Sequence, residues 1–222
     1  MDQNVILVET VPLEFDLESL GCRLRIRPGQ TKFMDRLSRL AEEAARVARP
    51  KAVARLCGLT ILDEEKVQVG EVTFSSPLLR QKMDGLGRAF SYLASEGTEL
   101  ADWSLSLSSS LEQVFASALR EVAVQQAENL LERTLLERYG IAQVSAMNPG
   151  SLKVWSLEEQ VPLFELLAPL PEKLGVTLLP SLMMRPEYSV SGVFFQTDSK
   201  FYNCQLCPKK ECPNRRTPSL VT

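Results

Sequence analysis

The chain contains no histidine. Without imidazole, a Ser–His–Asp or Cys–His nucleophile cannot be assembled, and neither can a His-ligated catalytic zinc or a haem held by a proximal His. Acid–base work near neutral pH would fall to a perturbed carboxylate, Lys, Tyr or Cys. An excess of charge is also missing. Twenty-five Lys and Arg stand against 28 Asp and Glu, a net charge of −3, so no general pull toward nucleic acid or anionic lipid is expected. No uninterrupted apolar run reaches the roughly 18 residues that a spanning helix needs. The opening Met1-Asp2-Gln3-Asn4-Val5 lacks the basic, then apolar, pattern of a secretion signal. An intracellular, cytoplasmic chain without a nucleic-acid or membrane partner is the expectation.

What is present is ordinary globular material. Over 222 residues, 45% are apolar and 24% charged, enough for a real core. Val5 to Val8 reads as a strand. Asp16 is placed to cap a helix carrying Leu17, Leu20 and Leu24. Thr31 is placed to cap another running to Arg49, with Phe33, Leu37, Leu40, Ala44 and Val47 on one face. Residues 23–51 hold nine basic and three acidic side chains, a local charge of +6. That stretch reads either as a docking face or as the solvated side of an amphipathic helix. Ala52 to Ser75 is β-like, with a polar turn at Asp63-Glu64-Glu65. Ser76-Pro77 opens a short helix, and Phe90 to Ala94 reads as a strand. The longest periodic stretch runs from Ser110 to Arg138, with Leu111, Val114, Phe115, Ala118, Val122, Leu130, Leu131 and Leu135 in one stripe and Gly140 past its end. Ser156 and Glu159 have capping-box spacing ahead of a helix to Leu167. Val190 to Phe195 reads as a strand. Together these predict an α+β domain over residues 1–202 and a cysteine-rich appendage over 203–222.

Three motifs could carry chemistry. Of five cysteines, three form Cys204-x2-Cys207-x4-Cys212. Closely spaced thiolates on a Pro-containing loop can converge on zinc or an iron–sulfur cluster, and Lys209, Lys210, Arg215 and Arg216 favour the thiolate form. A redox-active thiol group and a disordered tail are the alternatives, and softness alone does not separate zinc from iron–sulfur. A fourth ligand would be Cys57, Cys22, a carboxylate or an exogenous group, although lone Cys22 and Cys57 read as small core residues. The second motif, Met147-Asn148-Pro149-Gly150-Ser151, is a turn whose Gly150 would also let a ligand approach the backbone. The third is Ser189-Val190-Ser191-Gly192, where two hydroxyls at i and i+2 share one strand face.

In order, Pro149-Gly150, Leu157-Glu158-Glu159-Gln160, Leu163-Phe164-Glu165-Leu166-Leu167, Leu174-Gly175-Val176-Thr177-Leu178, Ser189-Val190-Ser191-Gly192 and Asp198-Ser199-Lys200-Phe201-Tyr202 resemble the activation (reactivation) domain of cobalamin-dependent methionine synthase. The match is specific between residues 149 and 202. It is looser over Phe90–Gly97 and the long helix, at Ala127-Glu128-Asn129-Leu130 and Glu132-Arg133. The resemblance implies a curved antiparallel sheet with packed helices, binding of S-adenosylmethionine, and a role capping the corrinoid of a cobalamin domain. It departs from the family in the Arg-Pro-x-Pro-Gly-Tyr turn, which reads Ala146-Met147-Asn148-Pro149-Gly150-Ser151 here. The carboxylate-pairing Arg becomes Ala146 and the aromatic becomes Ser151. A Glu of the long helix becomes Val124, and the cysteine tail is additional.

A chain without His cannot supply the usual lower ligand to cobalt. The resemblance therefore implies action on a cobalamin or other corrinoid held by a partner, either a corrinoid-binding protein or a cobalamin-dependent methyltransferase. On this expectation Pro149, Gly150, Ser189, Ser191 and Tyr202 line the cofactor cleft, and Cys204, Cys207 and Cys212 hold a metal or an electron-delivering cluster, fed by an electron donor. The alternative is a non-catalytic corrinoid-protein binding or assembly module.

Overall fold

The computed structural model describes residues 3–209 and 217–220. Its spine is a seven-stranded antiparallel sheet built from β1 (Val5–Val8), β2 (Lys51–Ile61), β3 (Lys66–Val69), β4 (Val72–Ser75), β5 (Arg88–Ser95), β6 (Val144–Met147) and β9 (Ser189–Gln196). Their spatial order is β4-β3-β2-β5-β9-β6, with β1 also on β2. The helices are α1 (Leu17–Arg23), α2 (Thr31–Val47), α3 (Pro77–Lys82), α4 (Thr98–Ser106), α5 (Ser110–Tyr139), α6 (Gln160–Leu167) and α7 (Leu170–Lys173). A small hairpin of β7 (Thr177–Leu178) and β8 (Met184–Arg185) stands apart from the main sheet. The expected α+β class with a predominantly antiparallel sheet is what the chain adopts.

Strand alternation divides the sheet into two buried faces. Val53, Leu93, Val193 and Phe195 face Leu79 of α3, Trp155 and Leu163 of α6. Ala52, Phe90, Tyr92 and Phe194 face Ala127, Leu131 and Leu135 of α5. Period two along the strands and 3.6 along the helix make each element present one continuous apolar surface. Farther up α5, Phe115, Leu119 and Ala123 pack on Leu37, Leu40 and Ala44 of α2 and on Leu20 and Leu100. At 30 residues, and about 1.5 Å per residue, α5 is long enough to serve both clusters. Burial of each Leu or Phe contributes about 1.5–3 kcal/mol. Gly140 ends α5 in the left-handed region, φ 62°.

Several expectations change. Thr31 is the first helical residue and Gln30 holds the cap position. Phe33 and Val114, expected in buried stripes, are 38% and 56% exposed. The Ser156–Glu159 capping box does not form. Ser156 Oγ donates to Glu158, while the Glu159 carboxylate accepts the Ser75 N–H at 3.0 Å, tying this segment to β4. The positive stretch is partly folded inward: Arg36 and Arg39 both pair with Glu112 of α5, at 2.8 and 3.0 Å, and Arg23 pairs with Glu121. No helix among the described residues is long and apolar enough to cross a membrane.

Candidate functional site

The residues expected at the ligand cleft do not all face one way. On β9, Ser189 and Ser191 share a face, as the period of two requires. Val193 and Phe195 continue that face into the core beneath α3 and α6. Ser191 Oγ donates to Gln160 Oε1 at 3.0 Å, and Ser189 Oγ donates to the Pro186 carbonyl at 2.8 Å and lies 3.0 Å from Ser95 Oγ. These hydroxyls are satisfied internally. This register places Ser189 and Ser191 outside the lining of the cleft described next, to which β9 contributes the even-numbered Val190 and Phe194.

On that other face lies a cleft of about 460 Å³ between α5 and the β9–β6 edge. Glu121, Val124, Gln125, Glu128 and Glu132 form its helical wall. Val190 and Phe194 of β9 and Ala146 of β6 form its floor. Ser151 and the segment from Lys200 to Cys204, including Tyr202, close it. Ala146, Ser151 and Val124, which the resemblance places at ligand-holding positions, therefore converge on a single hollow although they come from three segments. Pro149 and Gly150 are not in the lining but form the turn that presents Asn148 and Ser151. Gly150 has φ +76°, and a Cβ there would lie 2.7 Å from the Leu157 side chain. The close approach that requires glycine is thus made by Leu157, with the Gly150 N–H donating to the Trp155 carbonyl at 2.9 Å.

A hydrogen-bonded chain crosses the cleft. Tyr92 donates its hydroxyl to Glu128 Oε1 at 2.8 Å, and Asn148 Nδ2 donates to Tyr92 Oη at 2.7 Å and to the Ser191 carbonyl at 2.8 Å. Asn203 Nδ2 donates to Asn148 Oδ1 at 3.2 Å. Asn203 Oδ1 is buried without a hydrogen-bond partner. Tyr92 stacks on Phe194, ring centroids 3.9 Å apart at 16°. Gly192 makes the crossing possible: a Cβ there would collide with the Met147 carbonyl and come within 2.6 Å of Asn148 Nδ2. Asn148, Tyr92, Glu128 and Asn203 were not among the residues expected to line the cleft. Asn148 looked like turn chemistry, and its partner Tyr92 is 56 positions away.

Cys204 lines the cleft and Cys207 follows on the same turn, the Cys207 N–H donating to the Cys204 carbonyl at 3.4 Å. Leu220 and Ser219 return to this turn, donating to the carbonyls of Gln205 (2.8 Å) and Cys207 (3.2 Å). Cys212 lies outside the described residues. Among the described residues, no three His, Cys, Asp or Glu side chains are grouped to hold a metal ion. Cys22 is exposed on α1, and Cys57 is buried with Sγ 3.6 Å from Ser91 Oγ. Burial pushes the Cys57 thiol up from its ordinary value, against the Ser91 contact.

Away from the cleft, Arg120 of α5 meets Glu96 with two bonds, at 2.6 and 2.7 Å. Tyr188 N–H also donates to that carboxylate at 3.2 Å. Burial lifts the Glu96 carboxyl above its ordinary range, with Arg120 pulling it back.

A crystal structure of the MetH reactivation domain bound to AdoHcy superimposes on this chain with a TM-score of 0.60, covering 89% of this chain and 80% of that one. The fold is that of the MetH reactivation domain. Sequence identity to the MetH domain is 17%, so the likeness concerns the fold. No protein-family model and no curated protein matches the chain. Whether AdoHcy-like ligands suit this cleft depends on its own donors. Among the described lining residues the cation is Lys200, which Glu132 already engages. None of the described lining residues offers the bidentate guanidinium that normally pairs an amino-acid carboxylate.

Proposed function

We propose that this chain docks over a corrinoid held by a partner protein, a corrinoid-binding protein or cobalamin-dependent methyltransferase, and supports its reductive return to the methylated state. The observation that carries this reading is the open cleft on a reactivation-domain fold, placed where Val124, Ala146 and Ser151 converge. The chemistry would be the corrinoid's own: one electron to cob(II), then methylation of the reduced cobalt. This chain's contribution is positional. A rigid floor, with Phe194 backed by the buried Tyr92 ring, and a hydrogen-bonded wall hold a fixed shape against the partner, and preorganisation of that kind lowers the ordering cost of docking. Cys204 lines the same cleft, so a redox or metal role for its thiol would act at this rim.

The test is to mix candidate corrinoid proteins in the cob(II) state with reductant and a methyl donor, with and without this chain, and to follow the corrinoid absorbance. Conversion to methylcobalt that depends on the chain supports the proposal. Equal conversion with and without it contradicts it. A second reading, a binding or assembly module without a catalytic role, is favoured by the missing carboxylate partner at Ala146. It predicts a stable complex in a pull-down together with unaltered conversion.

A further inference from the structure

We propose that Cys204 and Cys207 close into a reversible disulfide at the rim of the cleft, and that its closure weakens docking on a partner's corrinoid. The disulfide stands on the geometry of the two cysteines, whereas its effect on docking rests on the reading above.

Backbone geometry is the first ground. Gln205 N–H donates to the Tyr202 carbonyl (2.9 Å), Leu206 N–H to that of Asn203 (3.1 Å) and Cys207 N–H to that of Cys204 (3.4 Å). Three successive bonds of this i→i+3 kind wind residues 202–207 into a tight coil. In such a coil the side chains at i and i+3 eclipse, and a rise of about 2.0 Å per residue sets their Cα atoms about 6 Å apart. A disulfide spans Cα separations of about 4.4–6.8 Å. The Cys-x2-Cys spacing therefore stacks the two half-buried cysteines on one face, within bridging distance. A second segment braces the coil: Ser219 Oγ donates to the Cys207 carbonyl at 3.2 Å, and Leu220 N–H to the Gln205 carbonyl at 2.8 Å.

Access is the second ground. Cys204 lines the cleft, where a small disulfide reagent can reach it. Cys57 is buried, and Cys22 and Cys57 have no cysteine three residues away on either side. The chemistry is exchange with a low-molecular-weight disulfide such as oxidised glutathione. The Cys204 thiolate attacks one sulfur of the reagent, whose S–S bond breaks and releases one thiol. The Cys207 thiolate then attacks Cys204 Sγ and expels the second thiol. The protein gives up two protons and two electrons, and the two glutathione thiols carry them away.

Closure acts on the cleft through the same coil. A disulfide holds its Cβ atoms about 3.5–4.5 Å apart, so side chains stacked one turn apart must draw together and tighten the coil. Cys204 is then pulled toward Cys207 and out of the lining. Asn203, next to it, donates to Asn148 Oδ1 at 3.2 Å, and Asn148 lines the cleft. The displacement thus reaches the wall that would meet the corrinoid protein.

The experiment incubates the full chain in glutathione buffers of rising oxidised fraction, traps thiols by alkylation, and maps the linkage by mass spectrometry of a digest. The expected product is lighter than the parent by two hydrogens, is linked Cys204–Cys207, and reverts with dithiothreitol. Cys212→Ser should form the same linkage, and Cys207→Ser should stop at a single glutathione adduct on Cys204. No intramolecular disulfide at any oxidised fraction, a linkage that requires Cys212, or stoichiometric metal that shields both thiols from glutathione would each overturn the proposal. In titration into a cob(II) corrinoid protein, the oxidised chain should bind at least about tenfold more weakly than the reduced chain. Equal affinity of the two forms would overturn the effect on docking. Absence of binding by either form, with the disulfide made, would overturn the docking reading and its regulation together and leave the disulfide supported.

Discussion

Gly192→Ala is the substitution whose consequence is most sharply set by the structure. Gly192 lies on the cleft face of β9, where the Met147 carbonyl of β6, Asn148 Nδ2 and the Tyr92 ring all close over it. An added Cβ would collide with that carbonyl, approach Asn148 Nδ2 to 2.6 Å, and approach Tyr92 Cε1 to 3.0 Å. The carbonyl cannot retreat without disturbing the pairing of Met147 with Val193. Overpacking of this kind costs about 1–3 kcal/mol. Displacing Asn148 loosens its bonds to Tyr92 and to the Ser191 carbonyl, each worth about 1 kcal/mol. The sum is roughly 3–5 kcal/mol, which for a chain of this length is a fall in Tm of about 6–20 °C. Urea unfolding followed by circular dichroism measures it. Gly58→Ala is the control, because nothing lies within 4 Å of a Cβ there, and it should stay within about 0.5 kcal/mol of the parent. A Gly192→Ala protein as stable as the Gly58→Ala protein would refute the reasoning.

Two further outcomes are expected. Arg120→Met leaves Glu96, 0% exposed, without its bidentate partner and should cost about 3–5 kcal/mol by denaturant unfolding, while Arg120→Met with Glu96→Gln should cost less than the sum of the single changes; strict additivity would contradict the coupling. Burial raises the Glu159 carboxyl above its ordinary value, opposed by the Ser75 N–H and reinforced by Glu158. Its stabilising contribution is therefore complete below the ordinary carboxylate range and is lost as pH rises through the raised folded value. Glu159→Gln, which keeps an acceptor for Ser75, should melt higher than the parent at neutral pH and match it in acid; a difference that grows on acidification would reverse the sign.

Elements with several periods of pattern were readable from the residues. The stripe ending at Gly140 identified α5 to within one residue, and Asp16 caps α1 as expected, its carboxylate accepting the Ser19 N–H at 3.0 Å. Some short elements were not readable, although four-residue β1 and six-residue α3 were. Four-residue β6 and the two-residue strands β7 and β8 carry too few alternations to separate from loop, and α4 fully buries just Leu100 and Ser104. The site divided along the same line. Alternation placed Ser189 and Ser191 on one face, but which face meets α5 is decided by the pairing of β9 with β5 and β6, contacts far apart in sequence. Ala146, Ser151 and Val124 were recognisable as departures one at a time. That they meet in one hollow is a property of the sheet edge and the long helix together. Tyr92 and Asn148 give no local sign of each other because their bond depends on a glycine in a third strand.

The central claim is that the cleft is the face presented to a partner's corrinoid. Its most direct test is titration of this chain into a cob(II) corrinoid protein, following the corrinoid spectrum, with the parent and with Ala146→Trp, which fills the cleft floor. A saturable spectral change given by the parent and abolished by Ala146→Trp, in a variant that still folds by circular dichroism, is the predicted result. A change of equal size and affinity from both proteins, or none from either, would contradict the account.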